Sequence, residues 1–376
     1  MADTADDLIN ELLTGAMEEL DVPRSVEMTM HAVYDDVGRW MGETLGDGDW
    51  AIYSQGSGRL GTMVRPPDGG DFDIDSVVAR NIAKAEITQQ ELKDEFGDAL
   101  DEYVKARAST TGPAPTGCQE SRRCWTLSFN QPFHMDVLPA IPDPTAPPTG
   151  ILLPDRELVR WQFSNPIGYS DWFFDRMADD FQEQRTAFAK EANVDVEDVP
   201  RWEVRMTLQR MVQVFKVHRN HYFAADDPHR PPSILIATLA ARAYRGERQL
   251  VEGVMNAASR MPDLVERDGD GYVVLNPVQD RENFADMWTP TAAAQFFEWM
   301  SDLQATLAEA LSTRSGVQAA VAILEQKFGV GPVQKSASRF GAARNSTRNG
   351  GRLKVAATGA VGTAGLTVKP HTFHGA

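Results

Sequence analysis

The sequence predicts an α+β protein in two parts, a sheet-bearing N-terminal part and a helical C-terminal part. Three observations predict it. β-type runs are confined to residues 50–139, apolar residues at three- and four-residue steps dominate on either side, and the composition changes abruptly near residue 335. A chain of 376 residues is long enough for two domains, each with its own core. The expected division is 1–165 for the sheet-bearing part with its N-terminal helices, 166–334 for the helical part and 335–376 for a flexible basic tail.

The elements follow in order. Val26, Met30, Val33, Val37, Trp40 and Met41 form one helical stripe, which is ordinary core. Asp47-Gly48-Asp49 ends it, and residues 50–53 begin the central sheet. An acidic strand over 71–75 comes next, then a charge-rich helical stretch to residue 107 and a loop over 112–117 (GPAPTG). Two β-type runs, CWTLSF (124–129) and FHMDVLP (133–139), flank Asn130-Gln131-Pro132, which is turn chemistry. The Pro-rich segment 139–150 reads as a loop or lid. From about Tyr169 the pattern is all-helical, with Val204, Leu208, Met211, Phe215 and Tyr222 marking one helix over 202–223. Helical pattern returns after Ser233 and over 291–311 and 316–328. Residues 335–376 hold seven basic residues and no Asp or Glu among Gly, Ser, Ala and Thr, the composition of a flexible segment.

Charge and composition exclude several functions. The net charge of −17 argues against a general binder of long nucleic acid, although a cation can neutralise a nucleotide. Cys118 and Cys124 have neither zinc-site nor redox-pair spacing and read as free thiols of a reducing compartment, with a disulfide between them as the alternative. The acidic start lacks a signal-peptide layout and no run is long enough for a membrane span, so the expected location is the cytoplasm, without membrane contact.

The chemistry concentrates in residues 53–79, YSQGSGRLGTMVRPPDGGDFDIDSVVA. Side chains alternate faces along a strand, so Asp71, Asp73 and Asp75 stand on one side. Packed like charges repel unless a cation sits among them, and an all-oxygen donor set favours Mg²⁺ or Mn²⁺. Gly56-Ser57 is a turn whose amides and hydroxyl can hold phosphate. Each feature has a plainer reading. The acidic run also suits a solvated edge strand or a calcium loop, and Gly-Ser occurs in any turn. Asp136, inside an apolar strand, needs a partner or serves as a local cap.

Their order resembles the nucleotidyltransferase superfamily with the polymerase-β-like core. Over residues 5–330, the segments QGSGRLGT (55–62), PPDGGDFDID (66–75), FHMDVLPA (133–140), NPIGYSDWF (165–173) and NPVQDRENFADMW (276–288) are similar to the cGAS/DncV-like nucleotidyltransferases (CD-NTases) of bacterial anti-phage (CBASS) signalling. The resemblance implies a bilobed fold of the OAS/cGAS type and synthesis of a cyclic oligonucleotide second messenger from NTPs, ATP among them, with a downstream effector sensing the product. It implies that Asp73, Asp75 and Asp136 are the catalytic carboxylates and hold two Mg²⁺ ions, or Mn²⁺ in their place. It implies that Gln55, Gly56 and Ser57 form the donor-phosphate motif, and that Lys216 and Ser233 contact the same triphosphate. Asp71 is charge support. Lys216 otherwise reads as a solvated helix lysine, and Ser233 as an N-cap after Pro231-Pro232. Ile234 stands where animal relatives carry a stacking tyrosine. His218, His221 and His229 lack metal spacing and read as surface histidines. Trp172 and Trp288 read as domain-interface core. The ending KPHTFHGA resembles tails that a ubiquitin-transfer-like enzyme attaches to targets, or is a plain chain end. The rival functions are nucleotidyl transfer to tRNA or protein, a non-catalytic nucleotide scaffold, and DNA sensing, for which the zinc-binding cluster is lacking.

Overall fold

The computed structural model describes residues 5–45, 50–66, 69–155, 160–178, 181, 186, 205–313 and 316–349, with the pairs 354–355, 361–362 and 366–367. Two helices come first, α1 (Ala5–Glu19) and α2 (Arg24–Thr44). The sheet-bearing part then runs β1 (Trp50–Ser54), α3 (Gly56–Leu60), β2 (Phe72–Arg80), α4 (Gln89–Arg107), β3 (Pro115–Glu120), β4 (Trp125–Phe129), β5 (Phe133–Pro142), β6 (Ile151–Leu153) and β7 (Gln162–Ser164). The sheet order is β1-β2-β5-β4-β3, with β6 pairing β5 and β7. Only β2 and β5 run parallel within this sheet; the other pairings are antiparallel.

Period-two alternation divides the work of the two central strands. Phe72, Ile74 and Val78 of β2 and Phe133, Met135 and Val137 of β5 join one core with α2 and α4. There Met30, Val33, Val37 and Met41 meet Leu92, Phe96, Leu100 and Tyr103. Thr88 and Glu91 start α4 with a reciprocal capping box, Glu91 N–H to Thr88 Oγ1 at 3.1 Å and Thr88 N–H to Glu91 Oε2 at 2.8 Å. The other face of the sheet carries Val77, Ala79 and Ala140 against β6. The carboxylates precede these apolar residues on the same face, near the start of both strands.

The helical part comprises α5 (Pro166–Asp175), α6 (Thr207–Tyr222), α7 (Ser233–Ala243), α8 (Leu250–Arg260), α9 (Pro290–Ser312), α10 (Val317–Phe328) and α11 (Val330–Asn349). Its core is continuous from Phe173 through Phe215, Leu239 and Val254 to Trp299 and Phe328. Trp172 and Trp288 are half-buried against it. No described helix is long and apolar enough to cross a membrane.

Four expectations are corrected. The helix α1 packs into the helical part, because Ile9, Leu12, Leu13, Ala16 and Met17 belong to that core. The tail expected from residue 335 begins as a helix instead. Val333 and Ser336 of α11 are buried, Ser336 Oγ donates to the Leu12 carbonyl at 2.9 Å, and Arg339 donates to the Gly15 carbonyl at 2.7 Å. Arg339 also pairs with Glu18 and Glu19, and Lys335 with Glu19, so two of the segment's basic residues meet acidic residues of α1. Farther on, 354–355, 361–362 and 366–367 pair as three short strands. The loop expected over 112–117 is in part β3. The stretch after Tyr169 is not wholly helical, since residues 266–283 form two short antiparallel pairs, β8 (Glu266–Asp268) with β9 (Gly271–Val273) and β10 (Leu275–Asn276) with β11 (Gln279–Asn283). Asp47-Gly48-Asp49, residues 202–204 and the final KPHTFHGA lie outside the described residues.

Candidate active site

The parallel register of β2 and β5 sets Asp73 opposite His134 and Asp75 opposite Asp136. Residues paired across adjacent strands project to the same face, so four polar side chains gather on one side of two strands. Ligand atoms of Asp73, His134 and Asp136 lie within 4.8 Å of one another. His134 Nε2 approaches Asp73 Oδ1 to 3.4 Å, yet that buried oxygen has no hydrogen-bond partner among the described residues. Thr126 Oγ1 donates to Asp136 Oδ1 at 2.6 Å and orients it.

Burial and crowding hold Asp73 and Asp75 toward their neutral form. Asp75 is pushed up to about 7 by burial first, then by the charges of Asp73 and Asp136. Asp73 is raised by burial and by Asp136. An oxygen without a donor beside two further carboxylates matches a hard divalent cation, for which oxygen ligands are preferred. His134 adds an imidazole at the rim. The donor set therefore fits a divalent metal.

Gly56 and Ser57 open α3 directly beside this group. Gln55, the extended N-cap residue, donates its backbone N–H to the Asp75 carbonyl at 3.0 Å, and Gly56 has φ of 62°. A Cβ at position 56 would collide with Asp75 Oδ2, so only glycine lets the turn lie against the carboxylate.

The helical part supplies Lys216 and Arg219. Lys216 on α6 is buried, and its Nζ donates to the Thr62 carbonyl at 3.0 Å. Burial, with Arg219 second, pulls its pKa down to about 8, against the opposing pull of Asp75 and Asp73. Arg219, one turn along, is buried too and is lowered to about 9 by burial and by Arg230. Its guanidinium donates to Ser233 Oγ at 3.1 Å and to the Pro231 carbonyl at 2.9 Å. Ser233 is thus the first residue of α7 and not its N-cap, a place Pro232 takes; its hydroxyl is held by Arg219 instead.

Gln55, Gly56, Ser57, Asp73, Asp75, Lys216 and Ser233 line one cavity of about 360 Å³ between the two parts. Asp136 does not line it and reaches the group from the Asp73 side. Asp71 is exposed just before β2. Arg123, Asn165, Tyr169, Asn276, Glu282 and Phe284 form other walls. Sequence reasoning missed several of these. His134 had a signal, since it lies two residues before Asp136 on a strand and so on the same face. Glu282 had a weaker one, since it lies inside the quoted segment 276–288; Arg123 at the cavity wall and Arg219 behind Ser233 had none, because only folding brings them there. His218 also departs from expectation: it is a buried histidine whose Nδ1 accepts from Trp299 Nε1 at 2.8 Å. Both cysteines are free.

Residues 51–139 match the family described as "Cyclic GMP-AMP synthase DncV-like, nucleotidyltransferase domain". A c-di-GMP synthase of Roseivirga ehrenbergii is 25% identical across 98% of this chain and 97% of that protein. The cyclic dinucleotide synthase CdnG of Bradyrhizobium diazoefficiens is 24% identical across 78% of this chain and 74% of its own. Among solved structures, the CdnG of that organism in complex with GTP superposes with a TM-score of 0.70 at 21% identity, over 90% of this chain and 99% of the other. The Vibrio cholerae DncV cyclic AMP-GMP synthase with a nonhydrolyzable GTP gives 0.55 at 17% identity, over 89% and 88%. Carboxylates paired in register, a glycine turn pressed against one of them, and likeness running almost the full length of a relative all point one way: the chain is similar to the DncV-like nucleotidyltransferases, and residues 51–139 match their nucleotidyltransferase domain.

Proposed function

We propose that the protein is a cyclic oligonucleotide synthase, joining NTPs by nucleotidyl transfer and closing the product into a ring that serves as a second messenger in anti-phage defence. The observation that carries this reading is the pairing of Asp75 with Asp136 across parallel strands, with Asp73 beside them and Gly56-Ser57 against Asp75. Similarity to a c-di-GMP synthase and to CdnG supports it.

Asp73, Asp75 and Asp136 would hold two magnesium ions, with manganese as substitute, whose chemistry there is to acidify the acceptor ribose hydroxyl and neutralise charge on the departing pyrophosphate. The chain's own residues do the positioning. Ser57 and the amides of its turn, Lys216, and Ser233 steadied by Arg219 grip the donor triphosphate and aim it for in-line attack. Asp136, fixed by Thr126, lies nearest the attacking hydroxyl. A cavity of about 360 Å³ is of the size that holds a small ligand, and its walls come from two halves of the chain. An effector protein senses the product.

The test is mass spectrometry of products formed from all four NTPs with magnesium. The wild type yields a phosphatase-resistant cyclic product without any nucleic-acid or protein acceptor. The Asp73→Asn, Asp75→Asn double variant keeps its circular dichroism spectrum and yields none. Full activity in that variant overturns the assignment, and product only when tRNA or a protein acceptor is added favours transfer to a macromolecule.

A further inference from the structure

The cavity wall opposite the phosphate-gripping residues has no role in the chemistry above, yet it is polar and tightly organised. Glu282 on β11 lines the cavity with most of its side chain buried. Asn276 Nδ2 donates to Glu282 Oε2 at 2.7 Å, and Ser164 at the end of β7 supplies a second hydrogen bond. The carboxylate is therefore held from both halves of the chain. Its neighbour Arg281 latches the ribbon to the core, donating to Asp143 Oδ2 at 2.9 Å and to Thr145 Oγ1, with its guanidinium 3.7 Å from the Phe163 ring centroid. Facing the ribbon, Arg123 shares the cavity and has a buried Nε with no hydrogen-bond partner among the described residues. Phe284, two residues beyond Glu282, offers an aromatic ring in the same space.

A rigid carboxylate accepts hydrogen bonds and offers none, so it selects a base edge with adjacent donors. Guanine alone presents N1–H beside N2–H₂. Adenine and cytosine place a ring-nitrogen lone pair beside their amino group, and uracil flanks N3–H with two carbonyls. A guanidinium complements the guanine O6 and N7 acceptors, and base stacking on an aromatic ring is indifferent to sequence. We infer that Glu282, assisted by Arg123 and with Phe284 as stacking surface, is the specificity-determining residue that selects a guanine nucleotide in this cavity. The inference rests on the cavity holding an NTP, as proposed above.

The test is titration calorimetry on the full chain with magnesium and α,β-methylene triphosphates, which are not turned over. The wild type binds the guanosine analogue about 10- to 100-fold more tightly than the adenosine analogue, the range of one good bidentate base contact. Inosine, which lacks only the N2 amino group, loses about tenfold. Glu282→Gln reduces the guanine-over-adenine ratio by about tenfold or more while adenosine affinity stays within about threefold. Equal wild-type affinity for guanosine and adenosine, no inosine penalty, or an equal loss for both bases in Glu282→Gln overturns the inference. Should Glu282→Gln fail to fold, the wild-type inosine comparison decides alone. A wild type that makes a cyclic product without base preference sinks this inference and spares the synthase; one that binds no nucleotide and makes no product sinks both.

Discussion

Asp75 and Asp136 are direct partners across the parallel strands β2 and β5, and the turn at Gly56 lies against Asp75 so closely that no side chain fits between them. One relationship therefore joins the carboxylate group to the phosphate turn, and each part has measurable consequences.

Gly56→Ala acts on that contact directly. The added methyl meets Asp75 Oδ2, and φ of 62° is strained for alanine. We expect a stability loss of about 1–3 kcal/mol. Displacing the turn or the carboxylate lowers kcat on the order of 10²-fold, as misplaced reacting groups do. Thermal melting and initial rates check both; unchanged activity would detach the turn from the chemistry.

Metal binding is expected to be coupled to protons. Asp75 stands near 7 when folded and at the ordinary carboxylate value when unfolded, so its raised pKa stabilises the metal-free protein fully at acid pH. That contribution is lost as pH rises through about 7. A bound cation needs the ionised form, so magnesium affinity rises with pH across that range and binding releases protons. Calorimetry in two buffers of different ionisation enthalpy measures the release, and Asp75→Asn reduces it.

His218 predicts an acid-sensitive helical part. Burial, with Lys327 adding to it against the opposing charge of Asp302, draws its pKa down to about 4. The unfolded chain binds this proton near 6.5, so the stability His218 confers is present above that pH and drains away as pH falls toward 4. The guanidinium midpoint should fall over this window. His218→Gln, which keeps an acceptor for Trp299, should flatten that slope.

Truncations separate the two halves of the expected tail. Ending the chain after residue 349 should leave the melting temperature within about 2 °C, whereas ending it after residue 329 uncovers α1 and removes buried Val333 and Ser336. That should lower melting by about 5 °C or more, at the few degrees per kcal/mol usual for a chain of this size. Equal melting temperatures for the two would mean α11 contributes nothing.

Much of this protein is written in local pattern. Period-two alternation put Asp73 and Asp75 on one face of a strand, and the same rule applied to residues 133–137 reaches Asp136 and, with one more step, His134. Three- and four-residue spacing marked α2 and α6, and charge-rich helical composition marked α4. Such features are short-range, set by backbone geometry and side-chain direction, and so they survive in a bare sequence.

Only the tertiary structure decided which distant residues meet. The docking of α11 on α1 joins groups 324 residues apart, and nothing in an acid-free run names its acidic partner. Arg219 reaches Ser233, and Glu282 reaches Ser164, through packing of whole elements. The altered acidities of Asp75, Lys216 and His218 arise from burial, which is a property of the folded neighbourhood and not of the residue. The chain alone specifies which groups are available; the fold sets their distance from water and from one another, and those two quantities govern their charge.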